Sequence, residues 1–238
     1  RAKNFVMGYF NLDRDIARLI LLQRTEIITP KLKNLRKTFG RYFFTNFVSK
    51  YLISPKSIGA RYYEVMNQEM EQLKTHLNFE KKKILSIGSG MCGLELLINS
   101  NFKDNFFSII EKNYISKKVT YGWDQKNDEA YNRIDLLNFF LINNGMNKKN
   151  FEIFDYDKDD LPVKTYDYVI SLYSLDYHYD FLFYKDYFKK ILNKNTMIIF
   201  DTVRPEFFKN VFESVEVIQN EEKTIHSSKR IICKNFKK

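Results

Sequence analysis

At 238 residues, with 44% hydrophobic and 29% charged residues, the chain is long enough to bury a sizeable core and too apolar to be disordered. Its two cysteines, Cys92 and Cys233, are too few and too far apart for a disulfide framework or a zinc site, which favours a reducing compartment. The net charge of +10 is concentrated: residues 1–56 hold twelve Lys or Arg against Asp13, Asp15 and Glu26, and the remainder is nearly balanced.

Such a basic segment attracts nucleic acid, anionic lipid or phosphorylated substrates, although a solvated helix face accounts for it equally well. No apolar run reaches bilayer length, because Arg18 and Gln23 bound and interrupt the best stretch, residues 16–22. A cytoplasmic protein without a membrane span is expected.

Taken in chain order, the first eighty residues read as helices. Asn11 or Asp13 can cap a helix over residues 16–22, which Thr29-Pro30 ends. A second would align Leu32, Leu35, Phe39, Tyr42, Phe43 and Phe47 on one apolar stripe, weakened by Gly40 and stopped by Ser54-Pro55. A third covers residues 57–77, with Tyr62, Met66, Met70, Leu73 and Leu77 at helical spacing. From Lys83 the pattern alternates between strands and helices. Strands are predicted at 84–87, 106–110, 151–154, 168–172 and 197–200. Helices are predicted from 94, over 128–144 with Gly145 as C-cap, and over 181–192. The tail departs from alternation, because 214–218 and 227–233 read as a closing hairpin. The division expected is a helical cap, 1–80, and an α/β unit, 81–238.

Residues Ser86-Ile87-Gly88-Ser89-Gly90-Met91-Cys92-Gly93 form a G-x-G-x-x-G pattern between a strand and a helix. Glycine permits the tight turn and a close backbone approach by a ligand, and the helix N-terminus offers free N–H groups. Glu111 follows eighteen residues after Gly93, at the end of the second strand, where a carboxylate can accept from both hydroxyls of a ribose.

These residues resemble the first motif of class I S-adenosylmethionine-dependent methyltransferases, with Ser86 where an acid is common. Phe154-Asp155-Tyr156-Asp157 resembles the adenine-contacting motif, and Leu161-Pro162 with residues 166–171 resembles the approach to the family's fourth strand. The resemblance spans residues 82–235. It implies a doubly wound, mostly parallel seven-stranded sheet of order 3-2-1-4-5-7-6, with the last strand pair an antiparallel hairpin. It further implies S-adenosylmethionine as cofactor, approached by Ser86, Gly88, Gly90 and Gly93, with Glu111 on the ribose, Asp155 on the adenine and Ser171 lining the pocket.

The stretch from Ser171 to Asp180 follows the fourth strand, where ligands collect at the carboxyl ends of sheet strands. There His178 is the candidate general base and Asp176 its partner, while Tyr177 and Asp201 are candidate substrate contacts. Tyr173 and Tyr179 are further candidates for pocket walls or core, Arg61-Tyr62-Tyr63 for reaching the donor or for a helix surface with its aromatics turned inward, and Trp123 for stacking on substrate or covering the adenine. A looser resemblance to a group of sugar O-methyltransferases implies a small hydroxyl-bearing acceptor, such as a sugar or sugar nucleotide, which the basic cap suits if phosphorylated. No metal-ligand spacing stands out. The rival readings are an RNA ribose 2′-O-methyltransferase, an NAD(P)-dependent oxidoreductase and a non-catalytic nucleoside-binding protein.

Overall fold

The computed structural model describes residues 8–28, 44–45, 47–48, 51, 54–116, 130–177, 179–220 and 227–237. Seven strands form one sheet: β1 (Lys83–Ile87), β2 (Phe106–Glu111), β3 (Phe151–Asp155), β4 (Tyr168–Ser171), β5 (Met197–Thr202), β6 (Phe212–Asn220) and β7 (Lys229–Phe236). Their order is β3-β2-β1-β4-β5-β7-β6. The first five strands pair in parallel, while β7 runs antiparallel to both β5 and β6. Both the expected order and the closing hairpin are present.

Near-continuous apolar strands are what a parallel sheet covered on both faces requires. Alternate residues serve opposite sides: Ile84, Phe107, Ile109, Ile170 and Ile199 belong to one core. Leu85, Ile87, Ile110, Val169, Ile198 and Phe200 belong to the other. The first core also takes in Phe10, Ile16, Leu19, Ile20, Ile58, Tyr62, Met66 and Leu73, so the N-terminal helices and the sheet bury their apolar faces together.

Helix α1 (Arg14–Gln23) starts where the Asp13 carboxylate accepts from Ile16 N at 2.8 Å. Helix α2 (Pro55–Leu73) begins two residues earlier than expected, because Ser54 caps it and Pro55 suits the first turn; it ends at Leu73 rather than 77. The expected second helix lies mostly outside the described residues. Helices α3 (Gly93–Asn101), α4 (Ile134–Asn143) and α5 (Lys185–Ile191) complete the layers, with the one-turn α6 (Pro205–Phe208) before the hairpin.

Two expected helices are corrected. The helix predicted from 128 begins only at Ile134: Ser116 N donates to Ala130 O at 2.7 Å and Asn132 N to Tyr114 O at 2.9 Å, so residues 130–132 are drawn into an antiparallel bridge. The helix predicted over 181–192 opens as a 3-10 turn, Phe181–Tyr184, capped by Asp180. The predicted loop after Glu111 that contains Trp123 lies outside the described residues.

The N-terminal segment is tied down at several points. Phe10 N donates to Gly59 O at 3.2 Å, and the Asn144 side chain closes on both the N–H and the carbonyl of Asn11, at 2.7 and 3.0 Å. Arg230 on β7 pairs with Glu69 on α2. Among the described residues no helix is long and apolar enough to cross a membrane.

Candidate active site

The carboxyl ends of β1, β2, β3 and β4 converge on one edge of the sheet, and the glycine loop turns there between β1 and α3. Gly88 and Gly90 take φ of +63° and +65°, which explains glycine at both positions. Close approach is a second reason. A Cβ on Gly88 would meet Ser174 Oγ at 2.0 Å, and one on Gly90 would meet Gln23 Oε1 at 2.5 Å. At Gly93 the crowding comes from α2, where a Cβ would strike Tyr62 and Met66 at 2.7 Å. The glycine lets the N-terminal helix pack on α3, and Tyr62 Oη then accepts from Gly93 N at 3.0 Å. Arg61 and Tyr62 thus serve the packing of this region, Arg61 Nη1 donating to Ile27 O.

Glu111 is buried at the end of β2, where its Oε1 accepts from Gly90 N at 2.5 Å. Burial pushes its carboxyl up to about 8, against the opposing effects of the Asn132 amide and the Gly90 N–H. Asn132 also donates to Gly90 O at 2.9 Å, which is the consequence of the bridge that delays α4. In register beside Glu111, Asp155 ends β3. Its Oδ1 accepts from Asp157 N at 3.2 Å, and Lys158 lies 3.4 Å from Oδ2. The two carboxylates therefore flank one another across adjacent strand ends, as the sequence led one to expect.

Ser86 is fully buried on β1. Facing it from the first turn of α3 is Glu95, 2% exposed, whose Oε2 has no hydrogen-bond partner among the described residues. Burial pushes the Glu95 carboxyl up, opposed by the hydroxyls of Ser86 and Ser89 and by the field of Arg24. Sequence reasoning passed over Glu95, because an acid inside an apolar helix pattern gives no motif signal.

Two more residues missed in the sequence come from the end of α1. Gln23 Oε1 accepts from Met91 N at 3.1 Å, and its Nε2 donates to Tyr131 O at 2.7 Å, so this amide lies on the glycine loop. Arg24 follows, its guanidinium 5.2 Å from the centre of the Tyr173 ring and 3.3 Å from Glu26. Arg230 approaches the same ring at 5.4 Å.

After β4 the backbone is held in unusual conformations, with Tyr173 and Asp176 at φ of +55° and +57°. Ser171 Oγ donates to Ile87 O at 2.7 Å and accepts from Leu175 N at 3.0 Å, which lashes the β1 and β4 ends together. Asp176 is fully buried; Thr202 Oγ1 donates to it at 2.6 Å and Arg204 Nη2 at 2.6 Å. Asp201 accepts from Tyr173 N at 2.9 Å and from Arg230 Nε at 2.9 Å. Both acids thus anchor the loop through partners of their own. Tyr177 packs edge-on against Tyr173, with centroids 5.7 Å apart. His178 lies outside the described residues.

The parallel sheet closed by an antiparallel pair, with a glycine turn after β1 and an acid ending β2, is the Rossmann-like methyltransferase fold. Solved structures share it at low identity. A candidate O-methyltransferase from Nostoc punctiforme is similar over 93% of this chain and 71% of its own, with 11% identity and a TM-score of 0.50. The O-methyltransferase segment of StiE is similar over 82% and 81% respectively, with 10% identity and a TM-score of 0.50. No protein-family model matches the sequence, and neither does any curated protein.

Proposed function

We propose that this chain is an S-adenosylmethionine-dependent methyltransferase acting on a hydroxyl group of a small molecule. The observation that carries the reading is the paired acid at adjacent strand ends, Glu111 and Asp155, beside a glycine loop that holds Gly88 and Gly90 at positive φ. Two glycines at positive φ and a buried carboxylate bonded to the loop fit a nucleoside ligand. The closing antiparallel hairpin favours this reading over a nicotinamide oxidoreductase.

When bound, S-adenosylmethionine supplies a methyl group already activated on sulfur. What remains for the chain is to hold the donor, align the acceptor, exclude water and take the acceptor's proton. Gly88 and Gly90 approach the donor, Glu111 accepts from the ribose hydroxyls and Asp155 from the adenine amine. Ser171 shapes the pocket by fixing the turn after β4. His178 takes the proton, imidazole being a side chain suited to proton transfer near neutrality. Asp176, locked by Arg204 and Thr202, positions the loop that bears His178, and Tyr177 lines the acceptor side. Asp201 supports the same loop through Tyr173.

The acceptor class we favour is a sugar or sugar nucleotide. The O-methyltransferase names of the two fold neighbours support a hydroxyl acceptor, and the basic residues of 1–56 suit an anionic one. Incubation with methyl-labelled donor and a panel of sugars, sugar phosphates, nucleotide sugars and RNA tests this, read as a mass gain of one methyl group. Label on a sugar hydroxyl, lost in His178→Ala while product binding persists, is the expected result. Label only on RNA, with salt-sensitive binding, would move the acceptor to a ribose 2′-hydroxyl.

A further inference from the structure

We infer that the amino-acid end of the ligand is held by a charge pair the sequence motifs do not mark: Glu95 on α3 takes the ammonium group and Arg24 at the end of α1 takes the carboxylate. The inference rests on the methyltransferase reading, whose donor and product both carry a zwitterionic amino-acid group beyond the nucleoside.

A carboxylate buried without a counter-charge or a full set of hydrogen bonds is expensive, and structures retain one where something else satisfies it. Glu95 is such a group: only 2% exposed, it keeps Oε2 without a hydrogen-bond partner among the described residues. Its place is not arbitrary. It stands on the first turn of α3, next to the hydroxyls of Ser86 and Ser89 at the base of the glycine loop. Ser86, a small residue one position before the end of β1, leaves the carboxylate reaching this spot to come from the helix instead of the strand.

Arg24 supplies the opposite sign. It is the cation whose field reaches Glu95, and it follows directly on Gln23, whose amide lies on the loop at Met91. The guanidinium is mostly buried, with a side-chain exposure of 14%, and is packed over Tyr173. Its one ion-pair partner among the described residues, Glu26, is 45% exposed and 3.3 Å away, a contact a ligand carboxylate can replace at small cost. A planar fork suits a carboxylate in bidentate fashion. Anion and cation thus flank the glycine loop, the arrangement a zwitterion recognises and a neutral nucleoside does not.

The test compares two probes by calorimetric titration: S-adenosylhomocysteine, which has the amino-acid end, and 5′-methylthioadenosine, the same nucleoside thioether without it. The native chain should bind the first at least about tenfold more tightly, as one or two charge-assisted bonds would give. Glu95→Gln and Arg24→Met should each remove most of that preference while leaving methylthioadenosine affinity unchanged. Equal loss for both probes would show that the residues only support the fold, and full retention of the preference in both variants would also overturn the inference. If the native chain bound neither probe, the methyltransferase reading itself would fall, and this inference with it.

Discussion

Gln23 accepts from the backbone N–H of Met91 at 3.1 Å while donating to Tyr131 O at 2.7 Å, so one side chain at the end of α1 joins the N-terminal segment to the glycine loop and to the bridged stretch before α4. The geometry fastens α1 to the glycine loop. Replacing Gln23 by Ala removes both bonds and leaves a buried N–H at Met91 unsatisfied. We expect a loss of about 1–3 kcal/mol in unfolding free energy. Hydrogen exchange should quicken across residues 14–23 before it does so in β1, which peptide-resolved mass spectrometry can read.

Arg230 is enclosed by Asp201 and Glu69, with both acids buried. Removing the cation alone leaves two carboxylates facing each other out of water. Arg230→Met should therefore cost about 3–5 kcal/mol, far more than a surface charge. The triple change to Met with Asp201→Asn and Glu69→Gln should recover much of it. Denaturant midpoints of the two variants give the comparison.

Glu111 ties pH to stability. The folded chain keeps this proton up to about pH 8, whereas an ordinary glutamate gives it up near 4.5. The stabilisation from its raised pKa is therefore complete below about 4.5 and disappears as the pH climbs through 8. Glu111→Gln, which cannot ionise, should flatten this slope, gaining on the native chain as the pH goes from 5 to 9. Urea midpoints measured across that range would show parallel curves if the group were ionised throughout.

Asp176 and Arg204 act as one unit, joined at 2.6 Å. Asp176→Asn and Arg204→Met should each destabilise the loop after β4, and the double variant should cost much less than their sum. A coupling of about 1 kcal/mol or more is expected from a double-mutant cycle. A coupling near zero would mean that the loop is held by Thr202 and backbone bonds instead.

The fold was legible because strand and helix periods are written locally. Ile84, Leu85 and Ile87 announce a buried strand, and the hairpin after β5 separates this sheet from a plain alternating one. Glu111 and Asp155 were legible because each ends a strand that the pattern defines. Gln23 and Arg230 were not, since their partners lie far away in sequence: Gln23 meets Met91 and Arg230 meets Glu69, 161 positions off; Arg24 and Glu95 belong to no motif that would mark them. The delayed start of α4 was hidden for the same reason. Residues 130–132 have helix-compatible side chains, and only the pairing of Ile115 with Tyr131 draws them out of a helix. The family resemblance placed Gly93 against the ligand, and its packing against Tyr62 and Met66 of α2 was not visible in the sequence.

The central claim is that the site formed by the glycine loop and Glu111 takes an adenosyl sulfur compound, and calorimetric titration with S-adenosylhomocysteine tests it most directly, with NAD and NADP titrated alongside. Saturable binding of S-adenosylhomocysteine at one site per chain, weakened at least about tenfold by Glu111→Ala and absent for the dinucleotides, is the predicted result. Tight binding of NAD or NADP with none of S-adenosylhomocysteine would contradict it and return the glycine loop to the oxidoreductases.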